Sequence, residues 1–185
     1  MKKTVLVFGL IAGGILSLMM IITMPFHDAI GWDRGEVIGY ATMICAFLLI
    51  FFGVRSYREN VAGGWVSFWR AFSVGAMITV VASVCYVVTW EVMYFNFVPE
   101  FGAKYQAHVI DKARDDGATP AELEKKVAEM QRFAKLYQNA LFNAAVTFLE
   151  PLPVGLVFAV LSAGVLRRRR NRDDESSIGS AAVVA

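Results

Sequence analysis

Charge is scarce in this chain, and so are cysteine, histidine and proline. Only 18% of the residues are Asp, Glu, Lys or Arg, and the formal net charge is +2. Such a balance gives no broad cationic face, so a nucleic-acid partner is not implied. The two cysteines, Cys45 and Cys85, both lie inside apolar runs and read as small buried hydrophobes, which argues against a disulfide framework. The two histidines, His27 and His108, fall outside those runs, so neither can ligate a haem held mid-bundle. An outer metal site from His27, Asp28 and His108 is conceivable, but solvated loop residues are the simpler reading. The motifs G-x-S-x-G and H-E-x-x-H, a phosphate-binding glycine loop and zinc spacing are all missing. The expectation is therefore no enzyme, no metal and no cofactor.

What the chain has is apolar sequence, 57% of it, gathered in long runs with the charges between them. That pattern marks an integral membrane protein rather than a soluble core. The expected fold is all-α, a membrane four-helix bundle. Its spans fall at about 4–24, 36–54, 71–93 and 143–166. Lys2 and Lys3 precede the first run, which is longer than a signal-peptide core and is followed by no small-x-small cleavage site, so it reads as an uncleaved helix. Gly9-x-x-x-Gly13 on that helix lets two backbones approach closely, and Gly35 and Gly39 repeat the spacing. Gly75, Thr79 and Ser83 give the third span a close-packing face. Residues 55–70 read as a boundary loop rich in arginine and aromatics.

The one sizeable polar region, 96–139, reads as two helices folded into a hairpin outside the bilayer, or as two helices lying on headgroups. Thr119-Pro120-Ala121-Glu122 is a helix start: an N-cap threonine, proline at the first position, glutamate at the third. Leu123, Val127, Met130, Ala134, Tyr137 and Leu141 mark the apolar face of the second helix. Residues 171–185 read as a disordered cytoplasmic tail. Lys2, Lys3, Arg55, Arg58, Arg70 and Arg167, Arg168, Arg169 and Arg170 abut the spans on one side. By the positive-inside rule both termini face the cytoplasm and the hairpin faces out. The arginine run serves as topology anchor and contact for anionic lipid.

Gly63-Gly64-Trp65-Val66-Ser67-Phe68-x-x-Ala71-Phe72-x-x-Gly75, Tyr137-Gln-Asn139 and Phe142-Asn143-Ala144-Ala145-x-Thr147-Phe148-Leu149-Glu150-x-x-Pro153-Val154-Gly155-Leu156 together resemble the bacterial membrane proteins of domain-of-unknown-function family 4199. The resemblance runs from the first helix to the arginines. It implies four transmembrane helices with a polar insertion between the third and fourth, and it implies no activity. One departure stands out: Pro151 follows the glutamate where the family pattern has an apolar residue.

Glu150 is the leading candidate for chemistry. Counting from Arg167 at about 1.5 Å per residue places it roughly 25 Å from that boundary, in the outer part of a layer about 30 Å thick. Pro151 disfavours α geometry at Glu150, and Pro151 and Pro153 leave the carbonyls of Thr147 and Leu149 without helical donors. A carboxyl beside free carbonyls suits a proton or small cation. Alternatively, Pro151 is simply the first residue of a final helix, with Glu150 stabilised at its N-terminus. Glu91, about 31 Å along its helix from Arg70, lies at similar depth. The two glutamates could share a proton, joined by Asn143 and Thr147; two ordinary boundary glutamates are the plainer reading. A non-catalytic inner-membrane protein assembling with itself or another membrane protein is the leading function. The alternative is a small proton- or cation-linked transporter or channel component using Glu150 and Glu91.

Overall fold

The structure, a computed structural model, describes residues 1–168. Arg169, Arg170 and the expected disordered tail lie outside the described residues. In chain order come α1 (Lys2–Thr23), a 3₁₀ turn (Met24–Phe26), α2 (His27–Ile30), α3 (Trp32–Asn60), α4 (Phe68–Asn96), α5 (Phe101–Asp115), α6 (Pro120–Tyr137), α7 (Ala140–Leu149) and α8 (Pro151–Leu166). Four helical stretches are long and apolar enough to cross a membrane: Lys2–Ile30, Trp32–Asn60, Phe68–Asn96 and Ala140–Leu166.

The helices overrun the apolar runs that announced them. The expected 55–70 loop shrinks to 61–67, because Arg55–Asn60 continue α3 and Phe68–Arg70 open α4. Hydropathy stops at the first charge, but a helix does not. Arg55 Nε donates to Glu59 Oε1 across one turn at 3.0 Å, the kind of pair that supports a solvated extension. Gly63 and Gly64, at φ 65° and 86°, turn the chain back. Val66 and Arg168 then exchange two backbone hydrogen bonds, tying this loop to the end of α8.

Residues 101–137 form the expected pair of helices. Gly117, at φ 85°, follows α5. The capping box at Thr119 and Glu122 is complete, and Pro120 is the first residue of α6.

Two levels divide the bundle. The terminal level, at the start of α1 and the end of α8, is closed by small residues. A Cβ on Gly9 would meet Val81 Cβ at 2.7 Å, and one on Gly13 would meet Cys85 Cβ at 2.6 Å, so α1 and α4 run backbone to backbone. Gly75 faces Ala159 at 2.8 Å, and Gly155 faces Thr79, closing α4 on α8. The close-packing face of Gly75, Thr79 and Ser83 is buried throughout. Phe47, Ile50, Val54, Tyr57 and Ile78 fill the remaining space.

The other level carries the hairpin and is loose. No residue of α3 before Met43 is buried. A Cβ on Gly35 or Gly39 would meet nothing within 4 Å, so that repeat of small residues is not a packing seam within the chain.

Candidate functional site

The break between α7 and α8 positions the site. Asn139 starts α7 by accepting from Leu141 N at 3.0 Å and Phe142 N at 3.2 Å. Pro151 and Pro153 supply no backbone donor, and Thr147 O accepts instead from Glu150 N at 3.3 Å. Glu150 itself has φ −68° and ψ −55°. This corrects the expectation of non-helical geometry before Pro151. The preference against α at that position is a bias, and here a tightened turn keeps the chain running in one direction. Pro151 is the first residue of α8, as one of the two readings had it, but the Glu150 side chain caps no backbone N–H there. It turns to α4, where Tyr86 Oη donates to its Oε2 at 3.1 Å.

One turn along α4, Trp90 Nε1 donates to Asn143 Oδ1 at 2.9 Å and to Tyr137 Oη at 3.0 Å. Thr147 Oγ1 donates to Asn143 Oδ1 at 3.2 Å, which leaves the Tyr137 hydroxyl as the donor in its 3.3 Å contact with Thr147. Asn143 Nδ2 donates to the Tyr137 carbonyl at 3.2 Å. Asn143 is fully buried and Thr147 is 4% exposed. Every member has a partner, so the network fastens the end of α6 to α4 and α7 rather than waiting for a ligand. Burial raises the Tyr137 hydroxyl pKa above its ordinary value, so the phenol remains a donor.

Below the hairpin lies a cavity of about 940 Å³, bounded by α1, α3, α4, α5, α6 and α7. Its volume is in the range of small-molecule sites. Leu16, Met19, Met20 and Met43 line its apolar walls, and Tyr86, Trp90, Thr147 and Glu150 its floor. Glu150 is exposed and lines this cavity. At the mouth, Trp32 stacks on His108 at 5.1 Å and meets His27 edge-on at 4.1 Å. The two histidines are therefore packed against an aromatic ring, which corrects their reading as solvated loop residues. Lys104 Nζ donates to Asp28 Oδ2 at 2.6 Å, and Lys112 lies 4.0 Å from Asp33, so exposed ion pairs join α5 to α2 and to the start of α3.

Of the residues singled out from sequence, Asn143, Thr147 and Glu150 come together here. Glu91 does not join them. It is one residue on from Trp90, about 100° around the helix, and is not on the cavity wall. Its Oε1 is buried without a hydrogen-bond partner among the described residues. Arg167 and Arg168 lie at the opposite end of the bundle, where Arg168 sits 5.1 Å over the Trp65 ring. Arg58 Nη1 there donates to the last carbonyl of α8, Leu166 O, at 3.4 Å.

Sequence reading missed Tyr86, Trp90 and Tyr137 as members of the site. Tyr86, Trp90 and Tyr94 recur every four residues, an aromatic stripe that pointed to one face of α4. No curated protein and no solved structure matches the chain. Residues 7–168 match the family described as a protein of unknown function, DUF4199, and with nearly its whole described length so covered the chain belongs to that family.

Proposed function

We propose that the chain is a non-catalytic binding protein of a bacterial cytoplasmic membrane, with both termini inside and the hairpin outside. Its working site on this reading is the cavity, and its ligand a small amphiphile. The placement rests on the four apolar helices and on the basic residues gathered at the terminal end. The observation that carries the function is the cavity of about 940 Å³, whose methionine and leucine walls descend to a polar floor. Methionine walls adapt to a ligand's shape, and the floor orients its polar end. The cavity also stops short of the layer closed by Gly75, Gly155 and Ala159, which favours holding over conduction. A proton- or cation-linked pathway through Glu150 and Glu91 has less support, since Glu91 is off the wall.

Extraction into polymer nanodiscs followed by mass spectrometry tests this reading. A stoichiometric amphiphile distinct from bulk lipid is expected with the wild type, and its loss with Gly39→Leu, which adds a side chain on the cavity wall. Bulk lipid alone in both samples would count against it.

Assembly with a second copy or another membrane protein remains the second reading. An apolar groove between α4 and α7, lined by Val84, Val88, Leu141, Ala145 and Leu149, supports it. Crosslinking in native membranes from position 88 or 145 should capture a discrete partner if that reading holds.

A further inference from the structure

Given the binding reading above, on which this rests, we propose that the polar end of the ligand is a cation, an amine or quaternary ammonium group seated on Glu150. At the floor of the cavity, the donors of Tyr86, Thr147 and Trp90 are bonded within the protein. Tyr86 gives its only O–H to Glu150 Oε2 at 3.1 Å. Thr147 and the Trp90 indole are committed to Asn143, at 3.2 Å and 2.9 Å. On the walls, Thr23 Oγ1 donates to Met19 O at 2.8 Å and Thr42 Oγ1 to Ile38 O at 2.7 Å. The Glu150 carboxyl lines the same space and takes the Tyr86 hydrogen bond on Oε2.

No Lys, Arg or His from α1, α3, α4 or α7 lines this cavity, so no side chain on those helices is its counter-ion. The basic side chains on its wall, His27, His108, Lys112 and Lys126, come from α2 and the hairpin; Asp33, Glu36 and Asp116 also line it, and Lys112 is drawn to Asp33. A carboxylate drawn out of bulk water is costly until a proton or another positive group joins it. An anionic ligand would worsen that cost, whereas a cationic one removes it. The ring of Tyr86 lies beside that carboxyl and those of Trp90 and Tyr137 line the same cavity; aromatic rings with a carboxylate are what an ammonium group prefers. The methionine walls above would then take the apolar tail.

The test uses the full chain in phosphatidylcholine nanodiscs, titrated calorimetrically against empty nanodiscs with three probes of one chain length: decyltrimethylammonium, decanol and decanoate. The ammonium probe should bind about ten-fold tighter than the alcohol, with decanoate weakest. Glu150→Gln should erase the ten-fold preference for the ammonium probe over the alcohol. Tyr86→Phe, which frees a second acceptor oxygen, should keep the preference for ammonium. Should Glu150→Gln fail to fold, the wild-type ranking and Tyr86→Phe decide. Saturable binding without headgroup preference would overturn the cation and leave the cavity reading standing. No saturable binding of any probe would overturn both.

Discussion

The terminal half and the hairpin half of the bundle are made from the same four apolar stretches, yet they solve opposite problems. In the terminal half, glycines and alanines bring α1, α4 and α8 backbone to backbone, leaving no room for a side chain larger than the one present. In the hairpin half, aromatic and methionine side chains hold the helices apart, and hydrogen bonds between Trp90, Asn143, Thr147 and Tyr137 replace close packing. Small residues give rigidity in an apolar solvent, where there is no hydrophobic force between helices. Large residues with polar ends give a cavity, provided their polar atoms are satisfied. The Pro151–Pro153 break lies at the boundary between the two regimes.

The largest test of this contrast is substitution of glycine on each side. Gly155→Leu should drive a side chain into Thr79 and destabilise by about 3 kcal/mol or more, the upper end of overpacking costs. Gly39→Leu meets only open space and should stay within about 0.5 kcal/mol of wild type. Denaturation by sodium dodecyl sulfate in mixed micelles reads both. Equal losses would erase the distinction between the halves.

Next in size is the network that replaces packing. Asn143→Ala removes the acceptor shared by Trp90 and Thr147 and should cost about 1–3 kcal/mol, with a change in tryptophan emission. Tyr86→Phe removes one exposed hydrogen bond at the cavity floor and should cost about 1 kcal/mol at most.

Much of this was legible in the chain itself. The apolar runs, the Gly9-x-x-x-Gly13 and Gly75–Thr79–Ser83 seams and the Thr119 capping box each follow from local rules that packing left intact. Asn143, Thr147 and Glu150 were legible because polar residues inside an apolar run demand partners. The partners themselves were not. Tyr86 and Tyr137 come from elements distant in sequence, and Trp90 reads equally well as a boundary aromatic. Glu91 showed the same limit. Similar depth on two helices says nothing about rotation around them, and a single residue's step turns it from the Tyr86–Trp90 face. The histidines were misjudged because loop composition does not reveal that Trp32 lies between His27 and His108.

The smallest expected effect concerns the hairpin alone. The Thr119 backbone N–H, bonded to Glu122, holds that carboxyl below its ordinary value of 4.5. A carboxyl with a lowered folded pKa stabilises above its unfolded pKa, and the contribution is lost as pH falls through the folded value. Amide exchange in the first turn of α6 should therefore quicken on acidification below 4.5; Glu122→Gln should remove that dependence, and Thr119→Ala, which loses the hydroxyl but keeps the backbone donor, only part of it. The terminal half should show no change over the same range.

Thiol labelling tests the division between a closed half and an open one most directly. In a background with Cys45→Ala and Cys85→Ala, Glu150→Cys and Ser162→Cys are compared with a charged, membrane-impermeant reagent added on the hairpin side. Ser162 is 2% exposed and packed into the terminal half, whereas Glu150 faces the cavity. Rapid modification at 150 and protection at 162 is the expected result. Protection at both positions, or equal reaction at both, would contradict it.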